Sequence, residues 1–154
     1  MALKPDRYEA DTDISFYMNE VAEAGVIISV STGGSGAAMD DAAALATVKA
    51  SASGALPLGV LLNDVVNVDL SRYHLNKYKD EVQIGSKVTN MPKGVVVTNK
   101  IVGTPTAGAI AYLSQSGNVS ATNEGGTQFT APIVGRFLSV KDEDGYAKVS
   151  INLP

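Results

Sequence analysis

From Gly25 onward, short runs rich in valine and isoleucine alternate with clusters of glycine, proline, asparagine and serine. That rhythm constrains the chain more than any other feature. β-branched residues suit a pleated, half-buried strand, and the intervening residues suit turns. Strands are predicted near 26–30, 57–62, 64–69, 81–84, 87–90, 94–98, 109–113, 118–122, 132–140 and 146–152. "SQSGNVS" places Gly117-Asn118 between two alternating runs, and "KDEDGYAKV" places Asp144-Gly145 likewise. Both pairs tolerate the positive φ of tight hairpins. Turn spacings of this kind predict a mainly β, compact barrel or sandwich-like domain.

Helical signals are few. Residues 40–50, alanine-rich behind Asp40 or Asp41 as N-cap, read as a helix, although "LATVKASASG" also suits a strand. In "DISFYMNEVAEAG", Ile14, Tyr17, Met18 and Val21 have helical spacing, and an extended segment with an aromatic anchor fits equally. One or two short helices are therefore expected. Residues 1–13 carry Lys4, Pro5, Arg7, Glu9, Asp11 and Asp13 with little to bury, and read as an N-terminal arm outside the core. Residues 14–154 form a single β-rich domain, and deleting the arm is expected to leave it folded.

The chemistry-bearing motifs are incomplete. "STGGSGAAMD" (31–40) follows an apolar run, as a phosphate-binding loop would. A P-loop closes with lysine and a hydroxyl residue, whereas Gly36 is followed by Ala37 and Ala38. The dinucleotide fingerprint fails at Met39. Acids cluster at Asp11/Asp13, Asp40/Asp41 and Asp142/Glu143/Asp144, but glycosidase acids face each other across an aromatic-lined cleft, and the chain has no tryptophan. "DEDG" lacks the remaining ligands of a calcium loop and reads as a hairpin turn. The single histidine, His74, excludes a multi-histidine metal site, and no "GxSxG" elbow accompanies it. The absence of cysteine removes disulfides, thiolate metal sites and cysteine nucleophiles. No enzyme activity, cofactor or metal is expected.

A net charge of −4 speaks against nucleic acid, whose binding draws on Lys and Arg neutralising phosphates. "MALKPDRYEADTD" lacks the apolar core of a signal peptide, and no run approaches a membrane span, so synthesis in a cytoplasm and no membrane contact are expected. "SRYHLNKYKDE" gathers Arg72, Tyr73, His74, Lys77, Tyr78 and Lys79. This is the only basic and aromatic cluster in the chain, and its composition suits a protein interface.

Residues 79–120, "KDEVQIGSKVTNMPKGVVVTNKIVGTPTAGAIAYLSQSGNVS", and 131–153, "APIVGRFLSVKDEDGYAKVSINL", with "LPLGVLLNDVVNVD" before them, resemble the capsid decoration or cement proteins of tailed bacteriophages. The resemblance implies a homotrimer on the outer capsid surface of the virion, bound to the major capsid protein and bracing the head against internal pressure. On that basis the capsid contacts are expected at Lys4, Arg7 and Tyr8 of the arm, and at Arg72, Tyr73, Lys77, Tyr78 and Lys79. A receptor- or glycan-binding β-module of a phage or bacterial surface structure is the alternative class.

Overall fold

A computed structural model describes residues 2–32, 46–53, 56–66 and 81–154. Its strands, in chain order, are β1 (Tyr8–Met18), β2 (Ala22–Glu23), β3 (Ile27–Thr32), β4 (Ala46–Lys49), β5 (Pro57–Val66) and β6 (Glu81–Val82). They continue with β7 (Lys87–Thr98), β8 (Ile101–Val102), β9 (Ile110–Leu113), β10 (Val119–Ser120), β11 (Ile133–Phe137) and β12 (Ala147–Asn152). The fold is mainly β, as the punctuated pattern predicts. One sheet runs in the order β1-β4-β3-β5-β7-β12-β11-β9-β10-β8, and a further β1–β7 pairing returns the first half of it on itself as a ring of strands. β2 and β6 form a separate ribbon.

β7 is the spine. The two strands expected at 87–90 and 94–98 are one, and it passes straight through Pro92. A proline inside a central strand removes a ladder donor. Here its neighbours are arranged so that no such donor is needed. β5 pairs β7 as far as Met91, and β12 takes over at Lys93. On the opposite edge, the β1 register also jumps between Asp11↔Lys93 and Asp13↔Asn90. Residue 92 thus lies in a gap of both ladders, and its carbonyl accepts the Leu153 N–H at 3.0 Å.

Alternation along β3 and β5 divides the core in two. Ile27, Val60 and Leu62 join a large cluster with Phe137, Val149 and Ile151. Ile28 and Leu61 point the other way, into a smaller cluster with Met18, Val82 and Val88. Both faces of the sheet are buried here, and burial on this scale contributes about 1.5–3 kcal/mol per large side chain.

The N-terminal expectation needs correction. Leu3 is 5% exposed within the larger cluster, Lys4 N–H donates to Val97 O at 2.9 Å, and Asn99 N–H donates to Ala2 O at 3.1 Å. Residues 2–18 run along β7, with β1 crossing the expected 13/14 boundary as one strand. The helical spacing of Ile14, Tyr17, Met18 and Val21 is overridden because the exposed edge of β7 offers a ladder that a helix could not use. Within the helix expected at 40–50, residues 46–49 are strand β4, paired with β3 (Ile28↔Lys49, Val30↔Thr47); residues 40–45 lie outside the described residues. Sheet pairing by β-branched Thr47 and Val48 outweighs the local alanine preference. The one described helical turn is a 3-10 turn at Gln115–Gly117. Its left-handed pair is Ser116-Gly117 (φ 57° and 75°), one residue earlier than the expected Gly117-Asn118.

Candidate functional site

In the β11–β12 turn Asp142 serves the backbone. Asp142 Oδ1 accepts the N–H groups of Asp144 (3.0 Å) and Tyr146 (2.8 Å), while Gly145 takes φ +85°. "DEDG" is a hairpin turn. Asp11 and Asp13 sit on β1 opposite Lys93 and Asn90. Among the described residues there is no group of three or more His, Cys, Asp or Glu placed to hold a metal ion. The loop at 33–40, Asp40/Asp41 and His74 lie outside the described residues.

Of the expected contact residues, the structure places three. The Lys4 ammonium lies 4.3 Å from the centroid of the Tyr146 ring, and Arg7 Nε donates to Glu9 Oε1. Asp6 approaches Lys148 Nζ at 3.8 Å. Lys4 and Arg7 therefore already have partners in their own chain. Tyr8 differs: it is 67% exposed at the start of β1. Arg72, Tyr73, Lys77, Tyr78 and Lys79 lie outside the described residues.

A polar cleft of about 440 Å³ opens beside the β2–β6 ribbon. Glu23 stands directly opposite Glu81 across that ribbon, an unfavourable like-charge pairing. Lys100 relieves it by an ion pair with Glu23, and Lys49 lines the same cleft. Among the described residues the charges lining the cleft, Glu23 and Glu81 with Lys49 and Lys100, balance.

The outer face of β9, β11 and β12 is different. Ala111, Leu113, Val134, Phe137 and Val149 turn inward, which leaves Ile110, Ile133 and Leu138 exposed on the other side, with Ile133 at 53%. Ile133 stands opposite Tyr112, and Arg136 opposite Ile110. An open groove of about 470 Å³ is lined by Ile133, Gly135, Arg136, Leu138, Ser150 and Asn152. Gly135 lets the β12 backbone lie close against β11: a Cβ there would come within 1.8 Å of Ser150 O. Arg136 is exposed and has no ion pair among the described residues. This combination of aliphatic side chains, a tyrosine and an arginine has the composition of an interface centre. Sequence reading found the strand but missed the face. Ile133 and Arg136 lie three residues apart, so strict alternation would set them on opposite faces; a register shift between Ile133 and Gly135 brings both outward.

A family model described as "Structural cement protein (E217 gp24/Pam3 gp6)" matches residues 4–152. The chain belongs to this family of phage structural cement proteins. A search of curated proteins finds no match. The resemblance drawn from the strand blocks thus holds at family level and extends to the N-terminal residues. As a cement protein the chain is a virion component that associates with the phage capsid. Among the described residues no helix is long and apolar enough to cross a membrane.

Proposed function

We propose that this cement protein coats the outer surface of the head as a homotrimer, bound to the major capsid protein, and holds neighbouring capsid subunits together against internal pressure. The family match across residues 4–152 carries this reading. The apolar face around Ile133 supports it, because a side-chain set of this kind is stable in water when it meets a partner. Ties across capsomer boundaries must break together, so many modest contacts add up to a large resistance of the shell.

Two measurements test the proposal. Light scattering coupled to gel filtration should give three times the chain mass of 15.9 kDa; a monomer at high concentration removes the trimer. Adding the protein to undecorated, expanded heads should give saturable binding and raise their resistance to heat or chelator. Full occupancy without added resistance removes the bracing role.

A further inference from the structure

The large sheet ends at β8, which has β10 as its one strand partner among the described residues. The Val119 N–H donates to Lys100 O at 2.9 Å, so the even-numbered backbone groups of this segment face β10. Alternation turns the carbonyls of Ile101 and Gly103 to the open side. An open edge with free carbonyls is a template on which a second strand can pair.

Those two carbonyls are occupied. Lys141 Nζ donates to Ile101 O at 3.0 Å and to Gly103 O at 2.9 Å. The lysine arrives from the connection between β11 and β12, far along the chain, and that connection is itself fixed. Asp142 N–H donates to Tyr146 O (2.9 Å), and Gly145 N–H to Asp142 O (3.0 Å). Of the outward N–H groups, that of Ile101 is spent on Asn99 O at 2.8 Å. An incoming strand would need these same groups and would have to displace a charge-assisted pair of hydrogen bonds.

We infer that Lys141 is a gate on strand addition: it seals the β8 edge and keeps a second copy of this chain from pairing there. A capsid-coating protein is made in many copies that must reach the shell before they meet one another edge to edge. Because the β1–β7 pairing closes the other end of this sheet, two copies would meet β8 to β8, an isologous contact that ties them together in solution before either reaches the shell. The ammonium suppresses that route without lengthening or burying the edge.

Sedimentation velocity of the full chain over a wide concentration series tests the gate. K141M removes the ammonium and keeps the aliphatic stem; larger, concentration-dependent species are expected beyond the parent's own state. K141R should sediment as the parent does. The half-exposed Val102 supplies the control. A lysine there repels a second edge, so K141M/V102K should return to the parent's distribution. If K141M does not fold, by near-ultraviolet circular dichroism, K141Q replaces it with the same V102K control. The gate is overturned if the folded variant sediments as the parent at every concentration. It is equally overturned if V102K leaves the larger species in place, since their contact then lies away from β8.

Discussion

Gly59 of β5 faces Asn90 of β7 so closely that a methyl group on Gly59 would lie 2.2 Å from Asn90 Oδ1 and 2.7 Å from Met91 O. Asn90 is itself 1% exposed and donates to Leu58 O at 3.5 Å. The side chain and the backbone of β7 are therefore both fixed against β5 at the handover beside Pro92. Gly59→Ala should cost about 1–3 kcal/mol, the range of overpacking in a core that cannot give way. The midpoint of urea unfolding reads it. A midpoint equal to the parent's would show that β7 moves aside, and that the β5–β7 contact is softer than the geometry implies.

Leu3 sets a second expectation, opposite to the one the polar N-terminus suggests. It is buried beside Thr98, and its neighbours Ala2 and Lys4 hydrogen-bond to β7 residues or the turn after them. Leu3→Ala should lose about 2–5 kcal/mol, as buried leucines do. Deleting residues 2–13 should cost more, because it also strips the first part of the β1–β7 ladder. Thermal unfolding distinguishes the cases: a truncated chain melting with the parent would restore the reading of a detachable arm.

That contrast shows what the sequence made legible. Val95-Val96-Val97, Ile133-Val134 and the glycine-marked turns declare their strands locally, because β-branched runs and positive-φ glycines act at short range. β1 and β4 do not. Tyr8–Met18 is polar and has helical spacing, and Ala46–Lys49 follows a run of alanines. Their conformation is decided by ladders with β7 and β3, which are remote in sequence. The site was hidden for a related reason. Ile133 and Arg136 face outward only because a register shift between Ile133 and Gly135 rephases β11, and a register shift has no signature in composition. The charges of Lys4 and Arg7 drew attention first, yet Tyr146 and Glu9 already engage them.

Asp142 permits a test of the β11–β12 turn. Its Oδ1 accepts two backbone N–H groups, and a net contribution of about 1 kcal/mol for each is typical. Asp142→Ala should lower stability by about 1–2 kcal/mol. Asp142→Asn keeps an oxygen in place and should stay within about 0.5 kcal/mol of the parent. Equal losses in the two variants, measured by denaturant unfolding, would mean that the carboxylate charge matters rather than its geometry. Because the same turn carries Lys141, Asp142→Ala should also weaken the seal on β8 in the sedimentation assay.

The final prediction separates folding from capsid contact on the face of β9, β11 and β12. Ile133 and Arg136 are exposed and line the open groove, so Ile133→Ser and Arg136→Glu should shift stability by no more than about 0.5 kcal/mol. If the groove is a binding centre, each should nevertheless weaken attachment to expanded heads by about 2 kcal/mol or more, the scale of an interface hot spot, which corresponds to roughly thirtyfold in Kd. Tyr8→Ala probes a rival surface, since Tyr8 is exposed on the N-terminal strand. A combined alanine variant of Arg72, Tyr73, Lys77, Tyr78 and Lys79 probes a third. Head-binding titrations at constant salt rank the three, and gel filtration with light scattering on the same variants shows whether a loss comes through the trimer. A trimer that persists while Ile133→Ser and Arg136→Glu lose head binding makes the groove the capsid contact. Loss of the trimer itself makes it the contact between copies. Unchanged binding and an unchanged trimer would rule the groove out of both and leave the contact to Tyr8 or to the basic cluster.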